Sequence, residues 1–400
     1  MNPTNAIRQQ PRWLLSLALL LASFSLTAQN RYDIACENQG DSLRVALSCK
    51  FDGKHAHADY LLLSPCCHIR SSNLGQYTRQ GDTLRFKQPI AELQMDYSIP
   101  KSFYTTSDDA VILRREGNWY PHRNNELLTA MLTLDDTLDH IICGQRLTER
   151  DIQVDTAFEL HLLLLPKERF SQTIEQDSNR PFYFYRSIDQ TTPRDQAFYA
   201  EFTQAYDFFS DFFGDKISPQ PMAVVEISDP EFQMCQSLPD LILFGSMFYQ
   251  IFTLMPTYSW IPHEMAHQWW GNRLFFEHLD YALGESVNEY LKLLFLHQRQ
   301  QGFDDQLELY QYNMSMASEQ LPPIADIHSV QEINESIAIY SEAPFRLWNA
   351  VSQCPDSRFS QSLSALYRTH KHTLVDRRQF LRSLSQSAQP LFTLWLQGKE

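Results

Sequence analysis

The chain has 400 residues, of which 43% are hydrophobic, so it is long enough to form two domains with sizeable cores. Its formal net charge at pH 7 is -15, and no basic stripe is present, which argues against nucleic acid as a partner. The seven cysteines are not spaced like a small disulfide scaffold or a ligand cluster. Cys36 with Cys49 is one candidate bridge, and buried free thiols are the alternative.

Residues 1–28 have the pattern of a secretory signal peptide. Arg8 and Arg12 supply a positive segment, residues 13–24 are apolar, and Ala28 ends a candidate cleavage site. The apolar run is too short for a comfortable membrane span. We therefore expect an exported protein, periplasmic or extracellular, with no stable membrane span after signal cleavage. An uncleaved membrane anchor is the alternative.

Residues 29–190 contain short alternating or apolar runs that are separated by turn residues. The runs are residues 42–48, 60–63, 83–86, 110–113, 127–134 and 158–165. Alternation of this kind predicts half-buried strands. The first domain is therefore predicted to be an antiparallel β-sandwich.

The hydrophobic period changes in residues 191–400. Residues 197–213 predict an aromatic helix that ends at Gly214, and residues 222–227 and 241–244 predict buried strands. Helical patterns then continue towards the C-terminus. The fold class predicted for the whole chain is α+β multidomain, with the β-sandwich followed by a mainly helical second domain.

The strongest chemical signal is His263-Glu264-Met265-Ala266-His267. On a helix, two histidines four residues apart lie on one face, where both imidazoles can bind a single zinc ion. Glu264 then lies beside a zinc-activated water and can act as its general base. A surface helix with two unrelated histidines is the alternative, and the apolar flanks that include Trp269 and Trp270 argue against it.

A catalytic zinc site usually has three protein ligands and one open position. The metzincin pattern is excluded because Trp270 and Arg273 occupy the positions of its glycine and its third histidine. Glu285 opens the next predicted helix and is the preferred third ligand. The other candidates are Glu277, His278 and Glu289. Glu289 has a second possible role, as a carboxylate that orients an imidazole.

The segment His267-Gln268-Trp269-Trp270-Gly271-Asn272 resembles the HQWFGN motif of the alanyl aminopeptidase (aminopeptidase N) and leukotriene hydrolase family of gluzincin zinc metallopeptidases. Gly284-Glu285, followed by Tyr290, resembles the NEG motif and downstream tyrosine of that family, with a one-residue deletion before it. The resemblance implies one zinc ion, held by His263, His267 and Glu285. It also implies a saddle-like β-sandwich, a thermolysin-like catalytic domain, and a short two-domain form that lacks the family's C-terminal helical domain.

One motif of this family is missing. Its aminopeptidases carry GAMEN before the zinc motif, and the glutamate binds the free α-amine of the substrate. Residues 232–240 read FQMCQSLPD instead. A cationic amine needs a nearby carboxylate in a dry cleft, and Asp240 or Glu231 are the candidate substitutes.

The resemblance also implies that Tyr340 donates a hydrogen bond to the oxyanion of the tetrahedral intermediate, and a core tyrosine is the alternative. We expect an exported zinc metallopeptidase, aminopeptidase-like, that acts on peptides or small proteins, with Glu264 and Tyr340 as its catalytic residues. A non-catalytic module that binds peptides or a partner is one alternative. An endopeptidase or an epoxide-type hydrolase is another, because one metal site serves several chemistries.

Overall fold

The computed structural model describes residues 29–52, 56–107, 109–124, 126–135, 140–142, 145–146, 150–175, 181–190, 194, 196–217, 221–255, 259–277, 280–317, 320–328, 330–354, 358–386 and 388–397. The predicted signal peptide, residues 1–28, lies outside this set. No helix within the set is long and apolar enough to cross a membrane.

The described strands, in chain order, are β1 (Asn30–Asn38), β2 (Ser42–Lys50), β3 (Ala58–Leu62), β4 (His68–Ser72), β5 (Tyr77–Gln80), β6 (Thr83–Ile90), β7 (Glu92–Pro100), β8 (Val111–Leu113), β9 (Leu128–Leu134), β10 (His140–Ile142), β11 (Gln145–Arg146), β12 (Asp151–Ala157), β13 (Leu162–Leu165), β14 (Phe170–Glu175), β15 (Phe182–Ser187), β16 (Met222–Ile227), β17 (Cys235–Leu238), β18 (Leu241–Gly245), β19 (Phe275–Phe276) and β20 (Leu374–Val375).

The N-terminal region is built around a seven-stranded sheet in the order β11-β12-β9-β1-β2-β7-β4. Neighbouring strands of this sheet pair antiparallel, except that β1 and β9 run parallel. Side chains alternate between buried and exposed along β1, because successive residues of a strand point to opposite faces. The buried face packs on two three-stranded sheets around Trp119 and Tyr120. The predicted β-rich N-terminal region is confirmed.

The candidate bridge between Cys36 and Cys49 is wrong. Cys36 lies opposite Val45 in the β1–β2 ladder, whereas Cys49 lies opposite Tyr32. The two cysteines are therefore separated by four ladder positions, or roughly 13 Å, and a disulfide needs Cα atoms within about 7 Å. Both are free and buried, which is the alternative that the sequence left open.

A five-stranded sheet in the order β14-β15-β16-β18-β17 leads into the helical region. Its middle strands β15, β16 and β18 run parallel, and β17 returns antiparallel as the last strand. The predicted domain boundary between residues 190 and 191 lies between β15 and β16, so one sheet contains strands from both sides of it. The position of the boundary itself stays a prediction.

The described helices, again in chain order, are α1 (Gln196–Phe213), α2 (Ser246–Leu254), α3 (Ile261–His267), α4 (Tyr281–Arg299), α5 (Phe303–Ser315), α6 (Ile333–Ile337), a π-helical turn (Ala338–Glu342), α7 (Ala343–Gln353), α8 (Phe359–His370), α9 (Arg377–Ser383) and α10 (Ala388–Leu396). One aromatic-rich core joins α1, α3, α4 and the helices after them. The predicted helical region after the β-rich region is confirmed, and its core surrounds the short helix α3.

Candidate metal centre and active site

Helix α3 places the two predicted histidine ligands together. Pro262 stands in its first turn, where a missing N–H costs little, and the helix is buried against α1 and α4. The Nε2 atoms of His263 and His267 lie 3.1 Å apart. Both imidazoles therefore converge on one point, as their spacing in the sequence predicts.

Helix α4 brings Glu285 to the same point. Its Oε2 atom lies 3.3 Å from Nε2 of His263 and 3.5 Å from Nε2 of His267. A tetrahedral zinc ion with bonds of about 2.0–2.1 Å holds its ligand atoms roughly 3.3–3.4 Å apart. The donor set, two nitrogens and one carboxylate oxygen, and the size of this triangle both fit zinc.

Glu289 lies one turn after Glu285 and contacts His263, a candidate metal ligand. Its Oε1 atom is 2.9 Å from Nδ1 of His263, on the opposite side of the ring from the ligand triangle. The two atoms are close enough for the orienting role that the sequence left open, although they are not aligned as a hydrogen bond. Of the other fallback ligands, Glu277 precedes α4 and is not part of the metal-ligand cluster, and His278 lies outside the described residues.

Glu289 is held in turn by two buried side chains. Lys292 Nζ lies 3.1 Å from its Oε2 atom, and the Tyr310 hydroxyl on α5 donates to the same oxygen. Burial raises the pKa of Glu289, but Lys292 and His263 lower it more, to about 2. The carboxylates of Glu264, Glu285 and Glu289 thus face the site. A divalent cation together with the Lys292 ammonium would balance their three negative charges.

His267 has a neutral partner instead. The side-chain amide of Asn288 lies 2.8 Å from Nδ1 of His267, and its Nδ2 also donates to the carbonyl oxygen of Trp270 at 2.9 Å. Asn288 is fully buried, at 0% exposure. The amide therefore fixes the plane of the second imidazole without adding charge.

Glu264 faces the edge strand β17. The thiol of Cys235 on that strand lies within hydrogen-bonding reach of the Glu264 carboxylate. Burial raises the pKa of Glu264, and it also raises the pKa of the Cys235 thiol, which stays neutral. A carboxylate with a raised pKa beside a metal-ligand triangle suits a general base.

The π-helical turn carries Tyr340 to the site. The ring centroid of Tyr340 lies 6.0 Å from that of His263, with the two rings edge to face. Ser286 on α4 donates to the carbonyl oxygen of Ile339 at 3.0 Å, which ties this turn to the ligand helix. Single π-helical turns within longer helices occur frequently at functional sites.

The two candidate amine anchors have other surroundings. Asp240 occupies the turn between β17 and β18, and its Oδ1 atom lies 3.2 Å from Arg273. Glu231 lies in an exposed turn whose backbone N–H bonds to Asp229. On β17 itself, the side chains directed towards α3 are Cys235 and Ser237, and neither is acidic.

Sequence reasoning missed several residues around the site. These are Cys235, Ser237, Gln268, Asn288, Lys292 and Tyr310. Cys235 and Ser237 had one usable signal, because Pro-Asp between two short runs is typical of a hairpin turn. The others are recognisable only through their tertiary partners.

The arrangement of ligand triangle, adjacent carboxylate and nearby tyrosine defines a metallohydrolase-type site. Residues 241–396 match the model of the peptidase family M1 domain. This part of the chain is therefore similar to the domain of that peptidase family. No curated protein sequence matches the chain.

Solved structures confirm the two-part architecture. The M1 zinc metallopeptidase from Deinococcus radiodurans is 13% identical with a TM-score of 0.65, and the match covers 93% of this chain and 94% of that one. A variant of that protein bound to a Tyr-Ser-Ala substrate has the same values. A two-domain M1 zinc metallopeptidase variant bound to L-tryptophan is 14% identical, again with a TM-score of 0.65 and coverage of 93% and 94%. At this identity the likeness shows the fold alone.

Proposed function

We propose that this chain is an exported, aminopeptidase-like enzyme that hydrolyses peptide bonds with one zinc ion held by His263, His267 and Glu285. The observation that carries the proposal is the ligand triangle, whose edges of 3.1, 3.3 and 3.5 Å match those of tetrahedral zinc. It leaves the side next to Glu264 and Tyr340 for water and substrate.

The bound ion would supply a Lewis acid and lower the pKa of a water molecule. Glu264 takes a proton from the attacking water and returns it to the leaving amine, for which its raised pKa is suited. The Tyr340 hydroxyl donates to the carbonyl oxygen as negative charge develops there. Burial of His263 and Glu264, at 7% and 8% exposure, strengthens each of these interactions.

A peptide is the substrate class that the edge strand beside Glu264 favours. Strand β17 ends its sheet beside Glu264, and an extended peptide can bind to such an edge through backbone hydrogen bonds. The fold is shared with a Deinococcus radiodurans metallopeptidase whose variant binds a Tyr-Ser-Ala substrate, and this agrees with a peptide ligand.

An endopeptidase is the second candidate, and one observation favours it. The β17 side chains that face the site are a thiol and a hydroxyl, and Asp240 is already paired with Arg273. An α-amine would then lack the anionic partner that aminopeptidases of this type provide.

The deciding experiment measures zinc content together with hydrolysis of amino-acid amides, offered both with free and with blocked amino groups. One zinc per chain with cleavage of free-amine substrates alone supports the aminopeptidase. Cleavage of blocked or internal bonds supports the endopeptidase. Stoichiometric zinc without cleavage would support a binding module, and absence of zinc would contradict the ligand assignment.

Export is tested separately. N-terminal sequencing of the mature protein from the producing cells should find Gln29 as its first residue, because the predicted cleavage follows Ala28. A mature protein that retains residues 1–28 in the membrane fraction would support the uncleaved anchor.

A further inference from the structure

The open edge of β17 presents a defined set of backbone groups. Among the described strands, β17 ends its sheet and pairs only with β18. The carbonyl oxygen of Met234 bonds inward to the N–H of Gly245 at 3.0 Å. Inward and outward groups alternate along an antiparallel strand, so the backbone N–H and C=O groups of Cys235 and Ser237 point away from the sheet.

The side chains of the same two residues point towards helix α3 and its end. Cys235 reaches Glu264, and the Ser237 hydroxyl accepts a hydrogen bond from Nε2 of Gln268 at 2.6 Å. Two residues span about 7 Å along a strand, and residues one helical turn apart span about 6 Å. The strand and the helix therefore match in spacing, and the hydrogen bond between Gln268 and Ser237 joins them.

Gln268 makes further hydrogen bonds to the same hairpin. Its side chain is 0% exposed, and Gln268 directly follows the ligand His267 in the chain. Besides the bond to Ser237, its Nε2 donates to the carbonyl oxygen of Leu238 at 2.8 Å, and its Oε1 accepts from the N–H of Asp240 at 3.0 Å. The side-chain amide of Gln268 thus bonds to both the strand and the turn of the β17–β18 hairpin, next to a metal ligand.

We propose that Gln268 is a positioning residue for peptide substrates. Its hydrogen bonds fix the distance between the open edge of β17 and the ligand triangle. The inference rests on the proposed function, since it requires a peptide that binds along β17. Asn272 adds to the same connection, because its Nδ2 donates to the Ser237 hydroxyl at 3.1 Å. The binding of each further substrate residue along β17 would depend on this distance.

The test is a substrate series of increasing length, from a single amino-acid amide to a tetrapeptide amide. In Gln268→Leu, kcat/KM for the tetrapeptide should fall by about tenfold, mainly through KM, and that for the single-residue amide by less than about threefold. Zinc content should stay at the level of the unaltered protein. A purely structural role would lower kcat/KM by the same factor at every length.

Ser237→Ala is the milder second variant. It removes one acceptor while Gln268 keeps its bonds to Leu238 and Asp240, so the fold should be retained. A smaller loss with the same length dependence is expected. Gln236→Ala is the matched control, because its side chain leaves the opposite face of β17 and bonds to Arg114. It should show no length dependence.

Length dependence in Gln268→Leu and Ser237→Ala, absent from Gln236→Ala, supports the inference. Equal losses at all lengths in both variants overturn it while the proposed function stands. If Gln268→Leu does not fold, Ser237→Ala decides alone. If the unaltered protein with bound zinc cleaves no peptide of any length, the proposed function fails and the inference fails with it.

Discussion

The two sides of the ligand triangle have different chemistry. The side formed by α4 and α5 is charged and hydrogen-bonded, through Glu285, Glu289, Lys292 and Tyr310. On the side of β17, the strand itself carries neutral side chains, the thiol of Cys235 and the hydroxyl of Ser237, and these face Glu264 and the neutral amide of Gln268 at the end of α3. Both sides are joined through helix α3, which carries His263 and His267.

This difference separates two tasks. A divalent cation in a low-dielectric interior needs anionic ligands, and the excess charge must be balanced nearby. A peptide backbone is neutral, and neutral partners can hold a strand for it without adding charge. Changes on the α4 side should therefore act on metal retention, and changes on the β17 side should act on substrate and turnover.

The largest predicted effect tests whether Glu264 acts on turnover and not on metal retention. Glu264→Gln should lower kcat by about 10³-fold or more, because proton transfer to and from the reacting groups is lost. Zinc binding should stay within about threefold of the unaltered protein, since an amide replaces a carboxylate that is not a ligand. Metal analysis and steady-state kinetics measure the two quantities. Full activity in this variant would show that the base is another residue.

Lys292→Met tests the charged side. Loss of the ammonium leaves Glu289 without its buried cation, and this should lower the free energy of unfolding by about 3 kcal/mol. Urea unfolding of the zinc-free protein measures the loss, and chelator competition should show zinc affinity about tenfold lower.

The double variant Lys292→Met, Glu289→Gln is the control for charge. It removes the pair together, so its loss of stability should be smaller than the sum of the two single losses. Additive losses would mean that Lys292 contributes packing alone, and the contrast between the two sides would lose its electrostatic basis.

Tyr340→Phe should affect turnover without affecting the metal. Loss of one oxyanion donor should lower kcat by about 10²-fold, while KM and zinc content stay close to those of the unaltered protein. Tyr312→Phe on α5 is the matched control, because that ring is 61% exposed. If kcat were unchanged in Tyr340→Phe, Tyr340 would be a core tyrosine, which is the alternative that the sequence left open.

The parts of the fold with strong local patterns were predictable from the sequence. The aromatic helix predicted for residues 197–213 is α1 (Gln196–Phe213), and the strand predicted for residues 222–227 is β16. Both have an unbroken period with clear ends, so local sequence decides them. Strand β17 has only four residues, and its place at the edge depends on pairing with β18.

The site follows the same rule. His263, Glu264 and His267 could be grouped from the sequence because they lie within one helical turn. The pair of Glu289 with Tyr310 could not, since the two residues are 21 positions apart and meet only when α4 and α5 pack. The π-helical turn that carries Tyr340 has no local sequence signal of its own, because it arises within a longer helical run.

The smallest predicted effect concerns the neutral partner of His267. Asn288→Ala should lower zinc affinity by about tenfold, because the imidazole loses the amide that fixes its plane. The loss of stability should be less than in Lys292→Met, since no charge is left unpaired, although the Trp270 carbonyl loses a donor. Asn73→Ala, at an exposed asparagine of the N-terminal region that accepts a hydrogen bond from the Gln94 N–H, is the matched control; it should leave zinc affinity unchanged and lower stability by no more than about 1 kcal/mol. If Asn288→Ala instead destabilised the protein as much as Lys292→Met, a neutral amide would be as important to the site as a buried charge, and the two sides would not differ in the way that their chemistry indicates.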